Sequence, residues 1–189
     1  MPTVQPLAVL TTTMSTPIGA LTILAIGGVV HASGFTEDRG ALARRLAPEL
    51  RGAPIQPVHD LGPISERLTA YFAGDVLALD ELDVAQPGGP FQQRVWAALR
   101  AIRPGQRTTY RDLAHRVGGV NLARAVGMGC ATNLISPIVP CHRVTRAGGD
   151  LAGYYWGLDR KRWLLDHERH HAPAALARPL QHTGERAGE

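Results

Sequence analysis

The sequence predicts an α/β protein in two parts. A small N-terminal domain of sheet and helix covers residues 1–86, and a mostly helical domain with a helix-turn-helix covers 87–168; a polar, flexible tail is expected over 169–189. Three observations carry this. Apolar residues cluster on either side of an early Gly-Gly pair, the mark of a hairpin. In several other segments they recur every three to four residues, as on amphipathic helices. Ala85-Gln86-Pro87-Gly88-Gly89-Pro90 supports neither helix nor central strand and divides the chain. With 189 residues, 44% hydrophobic and 19% charged, there is enough for one sizeable core or two small ones. The 21 glycines and 14 prolines are scattered between apolar runs, which excludes collagen-like and low-complexity classes.

In chain order, Ile18, Leu21, Ile23, Leu24 and Ile26 lead to Gly27-Gly28, and Val29 and Val30 lead away to Phe35, so residues 16–35 read as two strands around a two-residue turn. Helix formers run from Glu37 to Arg51 with Leu42, Leu46 and Leu50 in step. A second helix spans Ile64 to Ala73, with Ile64, Leu68, Tyr71 and Phe72 on its apolar side and Gly74 as its stop. This half reads as scaffold. After the break, Phe91, Val95, Leu99 and Ile102 mark a helix ended by Pro104-Gly105. Another begins near Thr109, with Tyr110, Leu113, Ala114 and Val117 in helical step, and stops at Gly118-Gly119. Asn121 is placed to cap a third, from Leu122 to about Ala131. That pair fits a helix-turn-helix. The third helix is slim, with Ala123, Ala125, Gly127, Gly129 and Ala131, and Arg124 lies off its apolar stripe of Leu122, Val126 and Cys130. A slim helix suits either a narrow groove or close packing on a neighbour, and Arg124 either a phosphate or solvent.

Charge is divided as sharply as hydrophobicity. Residues 1–87 hold 5 Lys/Arg against 9 Asp/Glu, whereas 88–189 hold 15 against 7, giving nets of −4 and +8 within a total of +4. A basic half suggests a polyanion-facing surface, though a solvated arginine-rich surface accounts for the count equally well. The most apolar early run, Leu21 to Val30, is too short to span a bilayer, and no Lys or Arg precedes Arg39 to make a signal sequence. A soluble, cytoplasmic protein with two free thiols, Cys130 and Cys141, is therefore expected.

Residues 133–144 carry the chemistry. An apolar, strand-like run from Asn133 ends at Pro140, then Cys141, His142 and Arg143 place a thiol beside an imidazole and a guanidinium. A free thiol titrates near ~8.5, and its thiolate is favoured beside positive charge or a proton acceptor, so Cys141 is a candidate nucleophile. Neighbours in an extended segment point oppositely, so contact between Cys141 and His142 needs a turn or a bridging water. Asn133, His142 and Glu168 are candidates for the chain of groups that orients the base. A buried structural thiol is the alternative for Cys141 and the reading kept for Cys130. No C-x-x-C spacing joins Cys130 and Cys141, and no metal site is expected from them and the histidines.

Pro140-Cys141-His142-Arg143-Val144, with Arg124-Ala125-Val126-Gly127 and Asn133 before it and Gly153-Tyr154, Gly157-Leu158, Lys161, Leu164-Leu165 and Glu168 after it, resembles the O6-alkylguanine-DNA alkyltransferases, or methylated-DNA–protein-cysteine methyltransferases. The resemblance runs from about Phe91 to Glu168, with a weaker echo in Thr16-Pro17-Ile18-Gly19. It implies a ribonuclease H-like N-terminal domain and a monomer that repairs DNA without cofactor, metal, membrane or obligate protein partner. Its substrate would be double-stranded DNA containing O6-alkylguanine, and the alkyl group would pass once, irreversibly, to Cys141.

The same resemblance implies that His142 takes the thiol proton through a water, that Glu168 orients His142 and that Asn133 holds the turn. The Tyr110 hydroxyl and the Tyr155 backbone N–H would stabilise the departing guanine. The carbonyls of Cys141 and Val144 would accept from its exocyclic amine, and Tyr154 would wall the pocket. Arg124 would fill the space left by a flipped nucleotide, while Ala123 and Gly127 would let the slim helix enter the minor groove. Arg143 is open between phosphate contact and structural pairing. The chain departs from the family pattern at Leu134, at Arg103-Pro104 and at Tyr155-Trp156. The bulk of the last pair predicts poorer acceptance of large O6 groups than of methyl. A catalytically silent alkylated-base binding protein of the same fold and a helix-turn-helix regulator with a structural cysteine are the alternatives.

Overall fold

In a computed structural model that describes residues 8–174, a threonine-rich run forms the first strand, β1 (Val9–Thr16). Its β-branched residues suit an extended backbone although few are apolar, and Thr11 stays buried by donating its hydroxyl to the Ile23 carbonyl at 2.9 Å. β2 (Gly19–Ile26) pairs antiparallel with β1 and with β3 (Val29–Gly34). Gly27 and Gly28, at φ 56° and 84°, make the turn between β2 and β3, as a two-residue hairpin requires. β4 (Ile55–Pro57) adds in parallel to β1, giving the order β3-β2-β1-β4.

The helix expected over Glu37–Arg51 is cut short. Only α1 (Arg39–Ala43) forms, followed by a single 3-10 turn at Pro48–Leu50. Pro48 drives Ala47 out of helical space, to φ −52° and ψ 142°. α2 (Pro63–Phe72) forms where expected and buries Ile64, Leu68 and Tyr71.

Beyond the Pro/Gly break come α3 (Pro90–Arg100), the two-residue strand β5 (Thr108–Thr109), α4 (Tyr110–Val117) and α5 (Ala123–Thr132). Thr109 caps α4, accepting from the Asp112 N–H at 3.1 Å. Asn121 does not cap α5; it lies inside a 3-10 turn, Val120–Leu122, that runs directly into the helix. The slimness of α5 has two faces. A Cβ on Gly129 would meet Val95 of α3 at 3.0 Å, and the Trp96 indole donates to the Gly129 carbonyl, so that glycine serves packing. Gly127 has only the Tyr110 ring near it, at 3.9 Å.

The run from Asn133 is not a strand. It bends through a cis Ser136–Pro137 peptide into a 3-10 turn, Cys141–Arg143, and then β6 (Val144–Thr145) pairs in parallel with β5. Before bending it touches the open edge of the N-terminal sheet. Ser33 of β3 donates its N–H to Leu134 and its hydroxyl to Ser136, and accepts from the Ser136 N–H. Val30 is bracketed in the same way by Asp83 and Ala85. An edge strand left bare would template foreign strands, and here the chain covers its own edge. A continuous apolar cluster runs from Val9 through α3 and α4 to Leu164.

The last helix, α6 (Leu158–His171), extends past residue 169, where the polar tail is expected; residues 175–189 of that tail lie outside the described residues. Among the described residues no helix is long and apolar enough to cross a membrane.

Candidate active site

The 3-10 turn at 141–143 supplies the bend that a Cys-His pair needs, and it sends the two side chains to different partners. Cys141 is 8% exposed at the floor of a cleft of about 480 Å³, within the ~300–1,000 Å³ usual for small-molecule pockets. Its sulfur accepts from Asn133 Nδ2 at 3.3 Å and lies 3.9 Å from the Ser136 hydroxyl. Burial pushes the thiol's pKa up, and those two hydrogen bonds and the Lys161 charge pull it back. The site thus holds a protonated thiol at neutral pH, surrounded by groups that favour its anion.

Asn133 is fixed by the turn it closes. Its amide nitrogen also donates to the Val139 carbonyl at 2.8 Å, while its oxygen accepts from the Ile135 N–H and from Gln86 Nε2, both at 3.1 Å. Gln86 returns to the same turn by accepting from the Leu134 N–H at 2.7 Å. The sequence reading gave Gln86 to a linker, whereas here it clamps the residue that contacts the thiol.

His142 is fully buried, and its Nε2 lies 2.8 Å from Glu168 Oε1. Arg143, 3% exposed, donates from Nε to Oε2 at 2.9 Å and from Nη2 to Oε1 at 2.8 Å, and its Nη1 donates to the Ile102 carbonyl. Arg143 is thereby committed to structural pairing. The Tyr71 hydroxyl adds a further donor to Oε1 at 2.9 Å. Against the cost of burial, Arg143 and then His142 hold the Glu168 carboxyl well below the usual carboxylate range. Since that carboxylate only accepts, Nε2 of His142 carries the proton. Burial lowers the His142 pKa, so the ring is neutral and its Nδ1, buried with no hydrogen-bond partner among the described residues, is a free acceptor. Asn133 joins this group through Cys141; neither His142 nor Glu168 is among its hydrogen-bond partners.

The remaining residues distribute around the cleft. Tyr110, at the start of α4, lines it with a pKa pushed up to about 12 by burial, then by Cys130 and Cys141. Ala123, Arg124, Gly127 and Met128 of α5 form one wall, with Tyr154 and Tyr155 opposite. Arg124 is exposed and makes no ion pair among the described residues. Cys130 also lines the cleft, and burial pushes its thiol pKa far up with no hydrogen bond to the sulfur among the described residues to pull it back.

Two expectations change. Val144 lies wholly buried, outside the cleft lining. Its carbonyl accepts from Lys161 Nζ at 2.7 Å, and the Cys141 carbonyl accepts from the Val144 N–H. Each keeps only its second lone pair for an outside donor. The Tyr155-Trp156 pair also splits. Trp156 turns onto Gly34, which has no room for a Cβ beneath the indole, and meets Phe35 edge-on at 6.5 Å. Only Tyr155 stands at the rim, 66% exposed, with the Arg45 guanidinium 5.0 Å from its ring centre.

A family model for the DNA-binding domain of 6-O-methylguanine DNA methyltransferase matches residues 90–170. The methylated-DNA–protein-cysteine methyltransferase of Salmonella typhimurium is 50% identical over 107 residues, a match covering 57% of this chain and 63% of that protein, less than two thirds of its length. The protein of the same name from Mycobacterium tuberculosis is 41% identical over 165 residues, covering 87% of this chain and 94% of that one. Among solved structures, the Mycobacterium tuberculosis O6-methylguanine methyltransferase superposes with a TM-score of 0.70 at 36% identity, covering 88% and 96% of the two chains. Mycobacterium tuberculosis OGT in complex with DNA gives 0.71 at 36% identity, covering 89% and 98%.

Proposed function

The chain belongs to the methylated-DNA–protein-cysteine methyltransferase family, and on that premise we propose that it repairs duplex DNA by moving the alkyl group of O6-alkylguanine to Cys141. The observation that carries this is the buried line of groups at the cleft floor. Cys141 and His142 share one 3-10 turn, which puts the thiol on the cleft and ties the neutral imidazole through Nε2 to the ionised Glu168.

In the reaction Cys141 Sγ forms a bond to the alkyl carbon while the bond from that carbon to O6 breaks. The thiol proton passes through a water to His142 Nδ1, and the electron pair leaves on guanine. Lys161, whose ammonium donates to the carbonyls of Val144 and Ala152 with no carboxylate of the described residues bonded to it, adds positive potential that favours the attacking thiolate. The Tyr110 hydroxyl, kept protonated by its raised pKa, donates to the departing base, as does the Tyr155 backbone N–H. A thiol this deep cannot reach a stacked base, so the nucleotide must be flipped out of the duplex. Arg124, exposed in the cleft lining and unpaired among the described residues, takes its place in the stack. α4 and α5 act as the helix-turn-helix, with Ala123 and Gly127 giving α5 the slim profile that a minor groove ~6 Å wide admits.

Mass spectrometry after incubation with an O6-methylguanine duplex tests the reading. One methyl adduct on Cys141, absent from Cys141→Ala, is the expected result; an unmodified protein that still binds the duplex would identify a silent alkylated-base binder instead.

A further inference from the structure

Tyr71 belongs to α2, in the half of the chain whose composition marks it as scaffold, yet its side chain ends on the carboxylate that serves His142. The residue is fully buried and held at three points. Its hydroxyl donates to Glu168 Oε1 at 2.9 Å, its carbonyl accepts from His167 Nε2 at 2.7 Å, and its ring meets Phe72 and His167 edge-on at 5.2 and 5.3 Å. A buried tyrosine needs some partner for its hydroxyl, and a backbone carbonyl would serve. The partner here is instead the one carboxylate bonded to His142.

We propose that Tyr71 is a positioning residue of the alkyl-transfer centre, whose hydroxyl fixes the Glu168 carboxylate and through it the orientation and neutral form of His142. The proposal rests on the reading of Cys141 as acceptor and deepens it. Oε1 accepts from Tyr71, from His142 Nε2 and from Arg143 Nη2. Every donor that shares this oxygen weakens its pull on the imidazole proton. Without the hydroxyl, Oε1 would bind the His142 N–H more strongly, favour the imidazolium and occupy Nδ1 with the proton it should receive.

The groups that face His142 are Glu168 and Lys161 from α6, Arg143 from its own turn and the Tyr154 ring, 6.4 Å away. Behind them Asp80 faces Arg143. Among the described residues of the N-terminal half, only Tyr71 donates to the carboxylate.

The test is Tyr71→Phe in the full chain, which keeps the ring and removes one oxygen. Nitrogen NMR should show the His142 ring titrating about half a pH unit or more above wild type. The acid limb of the pH–rate profile for methyl uptake should move upward with it, and the rate on the alkaline plateau should change less. Leu68→Ala is the control: it removes buried packing from the same helix and keeps the hydroxyl, so it should lower the unfolding midpoint and leave both curves in place. An unshifted His142 titration in Tyr71→Phe, or an equal shift in Leu68→Ala, overturns the proposal. Failure of wild type to take up methyl overturns the reading of Cys141 instead, and the NMR arm still decides the role of Tyr71.

Discussion

The floor of the cleft and its rim are built on opposite principles. Behind the floor Glu168, His142, Arg143 and Tyr71 are 0–3% exposed and tied to one another by four hydrogen bonds of 2.8–2.9 Å. At the rim Met128 is 61% exposed, Tyr155 66%, and Arg124 has no ionic partner among the described residues. On the proposed function, the difference corresponds to two separate jobs. Proton transfer needs geometry settled before substrate arrives, because any reorganisation adds to the barrier. Capture of a nucleotide needs surface that is unsatisfied until the partner supplies the missing contacts.

If that division holds, the largest effect comes from the floor. Glu168→Gln leaves the Arg143 guanidinium buried with no countercharge, which should cost about 3–5 kcal/mol of stability and lower methyl transfer at least ~100-fold. Urea unfolding and single-turnover kinetics measure the two losses. A stable variant with normal transfer would show that the buried ionic group is ornamental. The sign of its pH dependence is fixed as well: a carboxylate held below its unfolded value contributes fully above about pH 4.3 and loses that contribution only as pH falls through the depressed folded value.

At the rim, Arg124→Ala should leave stability within ~0.5 kcal/mol while slowing transfer from duplex about tenfold or more. Transfer from the free base should be unaffected, since no stack needs filling. Equal slowing with both substrates would place Arg124 in the chemistry instead of the flipping. The smallest effect belongs to Tyr155→Gly, which should raise reactivity toward O6-benzylguanine relative to O6-methylguanine by about tenfold or less. Competition between the two free bases reads it directly, and an unchanged ratio would mean that Tyr155 does not limit the mouth.

The same contrast governs what the sequence could say. The hairpin, α2 and the helices after the Pro/Gly break are legible because their apolar residues repeat at the period of the element. β1 is hidden because Thr11, Thr12 and Thr13 supply β-propensity without apolarity, and β4 is only three residues long. α6 is hidden for a different reason. Its buried face is Lys161, Leu164, Leu165, His167 and Glu168, so three of five inward positions are ionisable and no apolar stripe appears. At the site, Cys141, His142 and Glu168 are carried by motif. The partners that hold them are not: Tyr71 lies 97 residues from Glu168, and Gln86 lies 47 from Asn133. Tyr71 reads as an apolar core position, which its ring is, and nothing in the spacing reports where its hydroxyl ends. Gln86 sits in a run whose Pro and Gly content signals only a break.

The covered edge of the N-terminal sheet bears on the order in which the molecule can be made. Asp83 and Ala85 reach the Val30 end of β3 early, but Ser33 waits for Ser136, 103 residues later, before its own end of the strand has a neighbour on that side. On a growing chain the hairpin and α2 are complete long before the segment that shields them leaves the ribosome. For that interval β3 is open to any passing strand, including the same strand of another nascent copy. Cutting the gene at the Pro/Gly break, where the sequence invites division, would make that interval permanent.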